Sequence, residues 1–444
     1  MMENEKNFRT LSYIYYWWFL LFMGLCLSAY CYGYREDISC YKLVMQVFIG
    51  IFYWGSLLIS TRVNNIGTST FLVFVNMLVF SVILRMLFWD YADDPYDGIT
   101  GDNRTYEMLA IKSVGITYKE FCMKVISRSN FDDLGFFSIL YFLYDFFRDI
   151  DFVRNLMLII NALALAMSTY GMYKLSLLIG FNFETSNNIA VFYGLFPFWI
   201  LFSVIGFKEN IFCTLIVAAL FSIYRYKENK TLANLCLVIL FIASTYLFRF
   251  AIALMLILLF VFTTMVNENN RKSILVLSFL GSIVFFICAN VILVTFAGVS
   301  LDDVVATSSN RMSGSTGTGI LGWILQVFSA LIGPFPNFLK TAGFGIYYSS
   351  GLLLKSLTSI FVLLGCIRII KNLEMYLYPI LLYFIMGIAM LVISSVAFDM
   401  RYHITFFPAY VILLFYGFDK IKSYTSYILF TLVVVTIIVA YNLR

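Results

Sequence analysis

Uninterrupted apolar runs close to twenty residues long recur from Leu11 to the end of the chain, "YILFTLVVVTIIVAY" at Tyr427–Tyr441 among them. As helices, such runs are about long enough to cross a hydrocarbon core of about 30 Å. No other feature limits the fold so sharply. A water-soluble body is excluded by the residue balance: of 444 residues 61% are hydrophobic and 12% charged, too few polar side chains to cover the outside. A β-barrel would need alternating polarity, and these runs are continuous. The expected fold class is all-α, a polytopic transmembrane helical bundle.

With the N-terminus placed in the cytoplasm, length and flanks give about thirteen spans. They are Leu11–Tyr32, Leu43–Ser60, Phe71–Trp89, Phe152–Leu178, Asn188–Ile205, Ile211–Tyr224, Thr231–Leu247, Phe250–Val266, Ser273–Ala297, Tyr348–Ile370, Met375–Ala397, Thr405–Phe418 and Tyr424–Tyr441. The first is too long for a signal peptide and reads as a retained span. The short cytoplasmic connections then carry Arg62, Lys174, Arg225, Lys227, Lys230, Arg271, Lys272, Arg368, Lys371, Lys420 and Lys422. Inverting the chain would put nearly all of these on the wrong side of the positive-inside rule. The net charge of +5 says less than this distribution.

Two polar regions are left outside, 90–151 and 298–347. In them "YEMLAIKSV" and "LGWILQVFSALIG" are amphipathic and read as interfacial helices. "FFSILYFLYDFF" is apolar but short and interrupted by Asp145, which makes it interfacial or re-entrant. The eight Cys lie mostly in apolar runs and behave as small hydrophobes, although Cys31 and Cys40 flank the first loop and can pair in an oxidising compartment. His403 is the only histidine, so a histidine-rich metal site is excluded. "NRMSGSTGTGI" lacks the Lys–Ser/Thr ending of a phosphate loop and faces outward; it reads as a flexible lid, with "GPFPNFLKTAGFG" completing it or holding a carrier lipid. No internal repeat is visible, and no nucleic-acid partner is expected.

The first large loop gathers Asp93, Asp94, Asp97, Asp102, Glu107, Asp132 and Asp133. Acids in outward loops are often merely solvated. The arrangement is more specific than the charge. Asp102 stands near the start of a short helix with Tyr106 and Ala110, and "FDDLGFFSIL" returns the chain to the membrane. This order resembles the GT-C superfamily of membrane glycosyltransferases, which includes protein mannosyltransferases, aminoarabinose transferases and related bacterial enzymes with polyprenyl-phosphate sugar donors. "GLFPFWILFSVIGFKENIFCTLIV" resembles the family's pair of spans joined by an outward turn, here bearing Lys208 and Glu209. "STYLFRFAIALMLILLF" places Arg249 at an outward hairpin end, and "FDMRYHITFFPAYVILLFYGF" resembles a late segment with Arg–Tyr ahead of a Pro-containing span. The resemblance runs from Phe71 onward, so 71–444 is read as the catalytic unit and 1–70 as an added N-terminal hairpin. Paired prolines at membrane re-entry, found in some branches, are missing here.

The resemblance implies sugar transfer from a polyprenyl-phosphate donor to a lipid, glycan or protein acceptor, in a cell (inner) membrane with the site facing the periplasm or exterior. Asp102 is then the general base, although it can equally cap its helix. Asp132, Asp133, Tyr106 and His403 would place the acceptor. Alternatively Asp102, Asp132 and Asp133 would hold Mg²⁺ or Mn²⁺ through oxygen ligands, while a DD pair is also an ordinary N-cap. Lys208, Arg249, Arg401 and Lys355 would hold the donor phosphate, against the alternative that cations at helix ends simply snorkel. Arg85 is expected to snorkel beside Asp90. Two rivals stay open. A repeat-unit polymerase or ligase for O-antigen or exopolysaccharide would rest on Arg249, Arg401 and His403. A transporter or flippase would keep ionisable groups at mid-membrane.

Overall fold

The computed structural model describes residues 2–33, 40–89, 101–129, 132–265, 294, 300–315, 320–336, 345–372, 374–418 and 424–442. Every regular element among them is helical. Three long helices come first: α1 (Met2–Gly33), α2 (Cys40–Ser60) and α3 (Ile66–Trp89). Three short ones follow, α4 (Gly101–Ile111), α5 (Tyr118–Ser129) and α6 (Leu134–Phe147). The body then continues with α7 (Ile150–Ile179), α8 (Phe183–Gly194), α9 (Phe198–Ile205), α10 (Glu209–Glu228), α11 (Leu232–Tyr246) and α12 (Phe250–Met265). Past the undescribed stretch come α13 (Leu301–Ser315), α14 (Ile320–Leu331), α15 (Gly345–Asn372), α16 (Tyr378–Ile393), the single turn α17 (Met400–His403), α18 (Phe407–Gly417) and α19 (Tyr424–Asn442).

Six of the described helices are long and apolar enough to cross a membrane: α1, α2, α3, α7, α15 and α19; α8 and α9 taken together make a seventh. Many of their apolar side chains stay exposed, as lipid contact requires: Leu20, Phe52, Phe71, Met86, Met167 and Leu432 are each more than half exposed. The helix ends follow local chemistry. Asp149 caps α7 by accepting from the Phe152 amide at 3.0 Å, and Gly180 ends that helix at φ 107°. Asn182 caps α8 by accepting from the Thr185 amide at 2.8 Å. The N-terminal hairpin is packed into the body: the Trp18 indole N–H donates to the Ser350 carbonyl at 3.0 Å, and Tyr347 OH to that of Gln46 at 3.2 Å.

The stretch expected as one span over Asn188–Ile205 is instead two helices bent by 50°. Pro197 has no N–H to donate and disfavours helical backbone at Phe196, so the helix stops and restarts. The carbonyls this frees are satisfied inside the protein. The Trp199 indole N–H donates to the Tyr193 carbonyl at 2.7 Å, and the Tyr53 hydroxyl donates to that of Leu195. Irregular backbone at membrane depth survives only under such cover.

"FFSILYFLYDFF" forms α6, a fourteen-residue helix too short for a simple span. Its start locks onto the turn between α11 and α12: the Gly135 amide donates to the Leu247 carbonyl at 2.8 Å, and the Phe250 amide donates to Asp132 Oδ1 at 3.0 Å. Gly135 is required there, because a Cβ would stand 2.6 Å from the Phe248 ring. Gly135→Val is therefore expected to cost about 1–3 kcal/mol by overpacking, read as a lower unfolding midpoint. An unchanged midpoint would show that this junction is loose. The helix α14 exposes Ile320, Trp323, Ile324, Val327 and Phe328 and buries Gln326, Ser329 and Ala330, the two-faced pattern expected of an interfacial helix.

Candidate functional site

Charged side chains from five separate segments meet where α4, α6, the α9–α10 turn, the α11–α12 turn and α17 come together. Gly206 makes the α9–α10 turn at φ 71°, a conformation that favours glycine, and so sets Lys208 and Glu209 at the head of α10. Lys208 is 4% exposed and forms an ion pair with Asp133, while its Nζ lies 5.3 Å from the centre of the Tyr106 ring. Tyr106 donates to the second oxygen of Asp133 at 2.7 Å and accepts from Lys208 at 3.3 Å. Asp133 itself sits at φ 67°, unusual for a residue with a side chain, and makes no side-chain cap bond to α6. Its carboxylate serves the lysine instead. Burial and the Asp133 charge push the Tyr106 hydroxyl's pKa far up, so it stays a neutral donor.

Arg401, on α17, donates to Asp102 Oδ2 at 2.8 Å and to Asp399 at 3.2 Å. Burial works against its charge, but Asp399, Asp102 and Glu209 more than offset that and hold its pKa above the ordinary value. Arg249, in the α11–α12 turn, lies over the Tyr402 ring at 4.7 Å, and Arg401 lies by the same ring at 5.9 Å. Two guanidiniums therefore lie against one aromatic ring. Buried Nη1 of Arg249 has no hydrogen-bond partner among the described residues. Glu209 is 1% exposed, and neither of its oxygens is hydrogen-bonded to another residue there.

Of the residues singled out in the sequence, Asp102, Tyr106, Asp132, Asp133, Lys208, Arg249 and Arg401 come to this cluster. Asp102 lies in the first turn of α4 with its side chain 55% exposed. Asp132 accepts from the first amide of α12, a helix far along the chain, rather than capping the helix it precedes. Lys355 and His403 lie apart. The Lys355 ammonium donates to the Gly333 carbonyl and lies 5.3 Å from the Tyr410 ring centre, both groups being buried. His403 Nε2 meets the Ala397 carbonyl at 2.9 Å. Asp93, Asp94, Asp97 and the side chains of Cys31 and Cys40 lie outside the described residues, as do 316–319 of the glycine-rich stretch and all of the expected span 273–297 except Val294.

The acid trio does not form a metal site. Asp102 faces Arg401, Asp133 faces Lys208 and Tyr106, and Asp132 holds a backbone amide, so their lone pairs point to different donors. No group of three His, Cys, Asp or Glu with metal-binding geometry occurs among the described residues.

Behind α4, on the face opposite Asp102, Glu107 is clamped by Arg154 at 2.7 and 3.0 Å and accepts from Tyr144 OH at 2.5 Å. Arg85 donates to the Arg154 carbonyl at 3.0 Å and lines a cavity of about 30 Å³ with them, while Asp90, its expected neighbour, lies outside the described residues. This network fixes the rotation of the helix that carries Asp102. Glu209 and Asp399 are the cluster members the sequence reading left without a role. Each is an acid within two residues of a cation expected at the outward face, and that adjacency was the available signal. Compared with family models, with curated proteins and with solved structures, the chain matches none of them.

Proposed function

We propose that this chain is an integral membrane glycosyltransferase that moves a sugar from a polyprenyl-phosphate donor to a lipid, glycan or protein acceptor on the extracytoplasmic face. The observation that carries the reading is the convergence of Lys208, Arg249 and Arg401 with Asp102, from segments almost three hundred residues apart, beside an unpartnered guanidinium nitrogen. A phosphate ester supplies the acceptor oxygens that Arg249 Nη1 lacks. Asp102, half exposed, takes the proton of the attacking hydroxyl as it meets the anomeric carbon. An oxocarbenium-like transition state is favoured by the surrounding carboxylates.

The topology that serves this reading has thirteen spans, with the shorter apolar helices α10, α11, α12, α16 and α18 crossing beside the longer ones. The basic residues Arg225 and Lys227 close α10 about 30 Å from the cluster that opens it. The positive-inside rule then puts the cluster outside the cytoplasm.

The experiment is turnover. Purified protein is incubated with polyprenyl-phosphate mannose, glucose, galactose and aminoarabinose, and release of polyprenyl phosphate is followed. One donor is expected to be consumed in the presence of an acceptor extract. A folded protein that releases carrier from none of them would count against a transferase and leave the polymerase reading, built on Arg249 and Arg401, ahead.

A further inference from the structure

Glu209 is the one buried carboxylate of the cluster with no hydrogen-bond donor facing it from another described residue. An acid in the first turn of a helix is favourable, but that does not account for burial without partners. The charges that act on Glu209 come, in decreasing order, from Lys208 beside it, Arg249 in the α11–α12 turn and Arg401 on α17. Tyr106 on α4, Tyr348 on α15 and Cys213 on α10 feel its charge in turn. The ion pairs of Lys208 and Arg401 go to Asp133, Asp102 and Asp399, so the Glu209 charge meets the three cations at longer range. Burial lifts its pKa above the usual carboxylate range, and the cations restrain that rise.

We propose that Glu209 takes up a proton when a phosphate ester binds at Lys208, Arg249 and Arg401, so that anion binding and proton uptake are one event. A buried carboxylate stays ionised only while cations answer its charge. An arriving phosphate claims those cations, and two anions crowded together cannot both keep theirs. Binding therefore raises the Glu209 pKa further, and by linkage affinity falls as pH rises through the window between the free and bound values.

This rests on the phosphate-donor reading and extends it. Neutral Glu209 offers an O–H to the phosphate. During transfer the acceptor proton goes to Asp102, and the bond between anomeric carbon and phosphate oxygen breaks with its electron pair on that oxygen. Glu209 gives its proton to the leaving phosphate. Afterwards Asp102 loses a proton to solvent and Glu209 regains one when the next donor binds, which closes the cycle.

The test is calorimetric titration of the intact protein with farnesyl methyl phosphate, a diester that does not itself titrate near neutrality, in buffers of different ionisation heat and across a range of pH. Uptake is expected to approach about one proton per ligand inside the window, with affinity falling about tenfold per pH unit there. Glu209→Gln is expected to bind without uptake and without the pH dependence, since the amide donates but does not titrate. Binding by the wild type with no proton uptake, or equal uptake by the variant, overturns the proposal and leaves the phosphate reading standing. No binding by folded wild-type protein overturns both. Should the variant not fold, the wild-type pH profile decides alone: a flat affinity overturns the coupling.

Discussion

Asp102→Asn is expected to lower sugar transfer by about 10²–10⁴-fold, the range typical of losing a general base, with little change in the unfolding midpoint. The two halves of that expectation come from different features. The amide keeps the shape of the carboxylate and one acceptor oxygen for Arg401, but it cannot take a proton. The stability cost is small because the Asp102 side chain is 55% exposed; an ion pair in that setting contributes about 0–1 kcal/mol. Activity of the pure variant, followed by carrier release beside a thermal melt, reads both. Retained activity would move the proton-accepting role elsewhere and favour the polymerase reading, in which Arg249 and Arg401 do the work and Asp102 only steadies one of them.

The second large effect is on folding. Lys208→Met is expected to destabilise the protein by about 3–5 kcal/mol, because it strips the partner from a buried carboxylate. The side chains are 5% exposed for Lys208 and 17% for Asp133. Asp133 would be left with Tyr106 alone, and Glu209 would lose the cation that acts on it most strongly. The double variant Lys208→Met with Asp133→Asn removes both charges and is expected to recover a large part of the loss. Denaturant melts of the two single variants and the double variant measure the coupling directly. Additive losses would mean that the lysine and the aspartate do not depend on each other.

The helical membrane class was legible in the sequence because apolar run length is a one-dimensional property, and it survives whatever the helices pack against. Local capping chemistry sets the helix ends at Asp149, Gly180 and Asn182, but span bounds drawn from apolar runs alone, Phe152–Leu178 and Asn188–Ile205, did not use it. The break at Pro197 carried its signal too. A run that is apolar throughout hides the bend, however, and only Trp199 and Tyr53 show how the freed carbonyls are satisfied. Much of the cluster was legible for a different reason. Charged residues are costly inside lipid, so those at the ends of apolar runs are held near the membrane boundary. Their pairing was not legible. That Asp132 would hold the first amide of α12 depends on how α6 docks, and no spacing along the chain encodes that. The same holds for Lys355, which reads as a further phosphate ligand set deeper in its span until the Gly333 carbonyl is seen to occupy it. Glu209 was visible only as the acid beside Lys208 and drew no role, because its importance lies in what it lacks, and a missing partner shows only in three dimensions.

The proposed transfer requires that one anionic group of a lipid-linked sugar be held jointly by side chains from distant turns. Cryo-electron microscopy of the protein with a non-hydrolysable polyprenyl phosphonate sugar measures that directly. The expected density places the phosphorus group within ion-pair reach, about 4 Å, of Arg249 and at least one of Lys208 and Arg401, with the sugar toward Asp102. Density for the headgroup elsewhere, with Arg249 Nη1 still unpartnered and the Lys208–Asp133 pair undisturbed, would contradict it.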